Sequence, residues 1–210
     1  DHTILLYSSF SNMKTRHYGE LDDRVALNKQ MTAFMEDYNV MSSAKLNLVL
    51  FDNAVEHICR ISRIINLPMG NALLVGVGGS GRKSLSTLAT FIAEMELFQI
   101  EISKAYGMTE WRDDLKRVLT QAGAAGKETV FLFSDTQIKT ESFVEDLNNI
   151  LNNGEVPNLF ESDELAAVLD EVGREAKKKK IKLTTPAETF SLFVQNCKSN
   201  LHMVLCFSPI

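Results

Sequence analysis

The sequence predicts a three-layer α/β domain, a parallel sheet held between layers of helix, preceded by a helical lead-in. Three observations predict it. Short apolar runs of strand length alternate with segments of helical period from residue 72 onward. A glycine-rich turn, "GVGGSGRKS", joins the first such run to a helix. Two further runs end in a polar residue, at Asp135 and at Ser208. Alternating strands and helices imply crossovers between parallel strands, and parallel sheets bind ligands at the carboxyl ends of their strands. The glycine turn, Asp135 and Ser208 all fall at such ends.

Taken in order, residues 1–45 carry sparse apolar positions (Leu5, Leu6, Phe10, Leu27, Met31, Phe34, Met35) and are expected to form short helices. Residues 46–210 form the expected α/β domain. Leu50, Ala54, Ile58, Ile61 and Ile65 repeat at spacings of three and four, which predicts one helical face over 47–65, stopped by Pro68 and Gly70. Ala72 to Val77 is a continuous apolar run, as expected of a strand buried on both faces. Leu85, Leu88, Ala89 and Ile92 mark the next helix, Phe98 to Ile102 a second strand, and Trp111, Leu115, Val118 and Leu119 a further helix. Thr129 to Phe133 reads as a strand, and Phe143, Leu147, Ile150 and Leu151 as a helix closed by Asn152-Asn153-Gly154. A polar helix is expected over 163–180, then a helix from Pro186 to Cys197 and a last strand from Leu201 to Phe207.

Bulk composition narrows the function classes. A net charge of −5 argues against a nucleic-acid surface, because phosphate backbones select basic faces. Cys59, Cys197 and Cys206 lie in apolar contexts without C-x-x-C spacing, which predicts buried reduced thiols. The histidines His2, His17, His57 and His202 form no ligand pair, so no zinc site is expected. No apolar stretch reaches the roughly 18 residues a membrane span needs, and no signal-peptide pattern opens the chain. The expectation is a soluble intracellular protein, or a fragment of one, without nucleic-acid or membrane partners.

The glycine turn almost spells the phosphate-binding loop G-x-x-x-x-G-K-[ST]. With Gly76 and Gly81 as its glycines, Arg82 takes the lysine position and Lys83 the position of the Mg²⁺-binding hydroxyl. Gly76, Gly78, Gly79, Ser80, Gly81, Arg82, Lys83 and Ser84 are therefore the candidate phosphate-binding residues. Glycines admit positive φ and close approach of the main chain, and the helix start adds about half a positive charge. Guanidinium binds oxyanions as a fork. An ammonium cannot ligate Mg²⁺, so Lys83 is expected to stand in partly for the metal's charge and make binding weakly dependent on Mg²⁺. A second register stays open, with Lys83 as the phosphate lysine and Ser84 as the metal ligand.

"VFLFSDTQI" resembles the Walker B pattern, an apolar strand ending in Asp-Glu. Asp135 is the candidate ligand for Mg²⁺. Thr136 replaces the glutamate that would activate water, and losing such a base typically costs about 10²–10⁴ in rate. In "MVLCFSP" Ser208 is a candidate to touch the γ-phosphate or the attacking water, the alternative being a plain strand end before Pro209. The run Lys177 to Lys180 is expected to be a solvated helix end, and Met31, Met35 and Met41 to be packing residues.

Four segments in this order, "LNLVLFDNAVEHICRISRIINLPMGNALLVGVGGSGRKSL", "FQIEISKAYGMTEWRDDLKRVL", "FLFSDTQIKTESFVEDLNNILNNGEVPNLF" and "HMVLCFSPI", resemble the fourth AAA+ module of dynein heavy chains, and the axonemal more than the cytoplasmic type. The resemblance implies a P-loop NTPase large subdomain that stops after its sensor strand, without the small helical subdomain or the stalk. It implies one position in a ring of six within a minus-end-directed microtubule motor of cilia and flagella. Localisation would be the cytoplasm, cytoskeleton and axoneme. The implied partners are the neighbouring modules and, through the full motor, microtubules and intermediate and light chains. The implied ligand is ADP or ATP, with Asp135 as the Walker B acid, Ser208 at the sensor position, and Leu48 and Val49 near the adenine. In that family most hydrolysis belongs to the first module, and Arg82, Lys83 and Thr136 depart from the hydrolytic pattern. A nucleotide-binding, regulatory module with weak or no hydrolysis is the expectation. A competent ATPase using Lys83 and Ser84, or a structural module with an empty site, are the alternatives.

Overall fold

The computed structural model describes residues 6–10, 17–21 and 23–209. Leu5 and His2, named above, lie outside the described residues. The chain opens with a two-residue antiparallel pairing of β1 (Tyr7–Ser8) with β2 (Gly19–Glu20). Where short helices were expected, one 18-residue helix follows, α1 (Arg24–Met41), capped by the Asp23 side chain on the Ala26 amide. Leu27, Met31, Phe34, Met35 and Tyr38 recur at helical spacing and pack into one core, which keeps the helix continuous. Met31 and Met35 pack as expected, whereas Met41 at the helix end is exposed.

Helix α2 (Asp52–Ile65) starts later than its apolar pattern, because Phe51 is extended and ends the lead-in. Leu48 and Leu50 lie in that extended stretch and still pack on the same core. A parallel four-stranded sheet follows, built from β3 (Ala72–Val75), β4 (Glu96–Phe98), β5 (Thr129–Ser134) and β6 (Leu201–Phe207) in the order β3-β6-β5-β4. The expectation that the first strand is buried on both faces is overturned. β3 is an edge strand, and Leu73 and Val75 are 61% and 60% exposed. The second strand is shifted to Glu96–Phe98, since its pairing with β5 ends where Phe98 meets Phe131. Ile100 beyond it is buried in the core outside the ladder.

Between the strands run α3 (Arg82–Ile92), α4 (Met108–Leu119) with a π-helical turn at Thr120–Ala124, α5 (Glu141–Asn153), α6 (Ser162–Lys178) and α7 (Pro186–Asn200). Alternation along β5 divides the layers. Val130 and Leu132 face the core of α1, α2 and α3, while Phe131 and Phe133 face that of α4, α5, α6 and α7. Trp111 of α4 stacks on Phe143 of α5 at 4.3 Å and donates its indole N–H to buried Asp146 at 2.8 Å. Helix α6 is less polar than its composition, because Val168, Val172 and Ala176 form a buried stripe four residues apart. Lys178 at its end pairs with Glu175. The three cysteines are buried and free, and among the described residues no helix is long and apolar enough to cross a membrane.

Candidate functional site

The register of the sheet brings three chain segments to one end. Val75 lies opposite Phe207, and Ser134 opposite Cys206. The segments leaving these strands are the glycine loop after β3, Asp135 after β5 and Ser208 after β6. They line a cleft of about 360 Å³ with Gly78, Gly79, Ser80, Gly81, Arg82, Lys83, Ser84, Ser134, Asp135, Thr136, Cys206 and Ser208 on its walls. Larger clefts lie elsewhere, about 480 Å³ between α4 and α6 and about 510 Å³ around Glu101 and Asp113, but neither includes the glycine loop.

The loop is shaped by its backbone. The Gly76 amide donates to the Phe207 carbonyl at 3.1 Å, and the Ser80 amide to the Val77 carbonyl at 3.3 Å. Gly79 and Gly81 have φ of 79° and 78°, the left-handed region where a side chain is strained. Gly81 is the residue from which α3 starts, so the positive pole of that helix faces the cleft wall. Leu48 approaches Gly81 closely, leaving 3.8 Å between its Cδ2 and the point where a Cβ on Gly81 would stand. Its neighbour Val49 is 81% exposed.

The loop's two cations part company. Lys83 is exposed at the cleft, with Ser84 beside it on the wall. Arg82 curls back instead. Its guanidinium donates to the carbonyls of Phe207, of Val77 at 3.2 Å and of Leu74 at 3.4 Å.

Across the cleft, Asp135 accepts from the Ser208 amide at 2.6 Å and from the Thr136 amide at 2.8 Å. The Ser208 amide, then the Ser208 hydroxyl, hold its carboxyl below the usual carboxylate range, with a further contribution from the Arg82 charge. The Thr136 hydroxyl is 2.8 Å from that of Ser134. Cys206 lies buried beneath, its thiol pushed up by desolvation. Glu141 and Glu145 are exposed on α5 and do not line the cleft.

Gln137 is a positioning residue that the sequence reading passed over. Its side-chain oxygen accepts from the Ser134 amide at 2.9 Å, and its nitrogen donates to the Ile100 carbonyl at 2.9 Å. It thus ties the end of β5 to the segment after β4. The signal was present, since "SDTQ" fits the S-x-x-Q capping box.

Comparison with known proteins gives this arrangement a family. The family model for the P-loop containing dynein motor region D4 matches residues 46–210. The chain is 47% identical over 208 residues to dynein axonemal heavy chain 1 of Homo sapiens, covering 98% of this chain and 5% of that protein. It is 51% identical over 200 residues to the dynein-1-beta heavy chain of the flagellar inner arm I1 complex of Chlamydomonas reinhardtii, covering 95% and 4%. With dynein axonemal heavy chain 2 of Mus musculus it shares 46% over 194 residues, covering 92% and 4%. The chain therefore spans about one-twentieth of the length of these relatives. A strand-ordered cleft with a glycine loop and a Walker-B-like acid, matched along nearly its whole length, makes the chain a member of the axonemal dynein heavy chain family, in its D4 motor region.

Proposed function

We propose that the cleft binds ADP or ATP and hydrolyses it weakly or not at all, so that the module serves as a structural and regulatory position in an axonemal motor. The observation that carries this reading is the meeting of the glycine loop, Lys83, Ser84, Asp135 and Ser208 around one cleft. Loop amides and the start of α3 supply the field for phosphate, and Lys83 adds a full charge at the mouth. Among the described residues Asp135 is the one carboxylate on the cleft wall, and it would take part in holding Mg²⁺. Metal dependence is expected to be weak, because Lys83 occupies the position of the usual hydroxyl ligand. Leu48 borders the loop at Gly81, and by the family resemblance the adenine would lie near it and the exposed Val49.

Thr136 cannot serve as a base at neutral pH, which supports slow turnover. A second reading, a competent ATPase in the shifted register, is favoured by one observation, that of the two cations on the cleft wall Arg82 has its guanidinium held by carbonyls while Lys83, next to Ser84, is exposed. By its family the module would sit beside other AAA+ modules of one heavy chain. The whole motor would be minus-end directed on microtubules of the ciliary or flagellar axoneme, in contact with intermediate and light chains.

Isothermal titration with ADP and with ATP, each with Mg²⁺ and with EDTA, tests the reading. Micromolar binding that survives EDTA, with ATP left intact, is the expected result. Binding that depends completely on Mg²⁺ would overturn the role of Lys83, and no binding in any condition would leave a structural module. Steady phosphate release would favour the second reading.

A further inference from the structure

Arg82 stands where the phosphate lysine of the loop is expected, yet its head group makes a different set of contacts. The guanidinium carries five donors in a rigid plane. It bonds the Phe207 carbonyl at the end of β6, the Val77 carbonyl within the loop and the Leu74 carbonyl of β3. Two of these oxygens already accept the loop's own amides, those of Gly76 and Ser80. A carbonyl has two lone pairs and can hold both donors. The guanidinium therefore reinforces the hydrogen bonds that shape the loop.

The stem of Arg82 follows the same path. A Cβ at Gly76 would stand 3.6 Å from Arg82 Cδ, at ordinary contact distance, so the arginine stem passes directly over the first glycine. Phe207 is followed by Ser208, whose amide is bound by Asp135. One side chain thus joins the loop to β6, and through Ser208 to the acid that follows β5. An ammonium, with three donors at a single point, could not span these carbonyls. By covering strand-end oxygens, the guanidinium also removes negative dipoles that would repel an anion.

We propose that Arg82 is a positioning residue that straps the glycine loop to the end of β6, leaving the charge of a bound di- or triphosphate to Lys83 and the loop amides. The second half rests on the nucleotide reading above, whereas the strap itself does not.

The test uses Arg82→Met and Lys83→Met with two readouts, amide hydrogen exchange in the ligand-free protein and ADP affinity in EDTA. In Arg82→Met the Gly76 and Ser208 amides are expected to exchange about tenfold faster, with Phe131 and Val204 in the sheet centre unchanged. Lys83→Met should leave all four as they are. ADP affinity should fall about tenfold or more in Lys83→Met, as for loss of a charged hydrogen bond, and by no more than about threefold in Arg82→Met. Unchanged exchange at Gly76 and Ser208 in Arg82→Met overturns the strap. Loss of ADP binding in Arg82→Met with Lys83→Met harmless overturns the assignment of the phosphate charge to Lys83, because the guanidinium would then be the phosphate contact. If the unmodified chain binds no ADP, the nucleotide reading fails and exchange alone decides the strap. Should Arg82→Met loosen the sheet centre too, Arg82→Lys replaces it. A rise confined to Gly76 and Ser208 supports the strap, and no rise overturns it.

Discussion

The Ser208 main-chain amide donates to the Asp135 carboxylate at 2.6 Å, joining the segments that leave β6 and β5 at the cleft. One of the two carboxylate oxygens is thereby engaged, and the other accepts the Thr136 amide at 2.8 Å. A group held by two backbone donors is oriented before any ligand arrives.

The same contacts make Asp135 a source of pH-dependent stability. Its carboxyl is held below the usual value of about 3.9, first by the Ser208 amide. A depressed folded pKa gives stability that is present above the unfolded value and lost as pH falls through the folded one. The difference in Tm between the unmodified chain and Asp135→Asn should be full at about pH 6 and shrink steadily below about pH 4. A difference independent of pH would show that the amides do not favour the ionised form.

Turnover should need two changes at once. Thr136→Glu supplies a base but leaves Lys83 where a hydroxyl would bind Mg²⁺, so phosphate release from ATP should stay at background. At saturating ATP, Lys83→Ser with Thr136→Glu is expected to exceed the single variant by about 10²-fold, on the scale of the several kcal/mol of charge stabilisation that a bound metal supplies. Equal rates in the two would show that Lys83 does not block the metal.

Gly123 in the π-helical turn is a packing constraint. A Cβ there would stand 2.4 Å from Cys197 Sγ and 2.5 Å from Phe193 Cε2, both on buried residues of α7. Gly123→Ala should cost about 1–3 kcal/mol by overpacking, which lowers Tm by roughly 2–4 °C per kcal/mol at this chain length. An unchanged midpoint would mean that α7 moves away from the turn without cost.

The cysteines should be inert in the native chain. Burial pushes the Cys59 thiol up to about 11 and that of Cys197 up to about 12, and raises Cys206 as well. Thiolate is the reactive form. A disulfide reagent at pH 8 should therefore modify the three only after denaturant is added. Prompt labelling of the folded chain would show that one of them is accessible and ionised.

From residue 47 onward the sequence by itself determined the succession of elements and the segments that leave the strand ends, because both are written locally. Apolar period separated strands from helices, and β6 was read to its end residues, Leu201 and Phe207. Glycines at 79 and 81 marked a loop needing positive φ, and a polar residue closing an apolar run marked each strand end. Pairing is what the period could not carry. A run such as Ala72–Val77 looks the same at an edge as at the centre of a sheet, and only the strand order leaves Leu73 and Val75 exposed. The second strand stops at Phe98 for a like reason, because hydrogen bonds to β5 end there. The binding of the Arg82 guanidinium by backbone carbonyls was likewise decided in three dimensions. Its partners Leu74 and Val77 are near in sequence, but Phe207 is brought beside them only by the parallel crossing of β6 next to β3. Local chemistry names the groups at a site, while strand pairing decides which of them face a ligand and which are bound by the backbone.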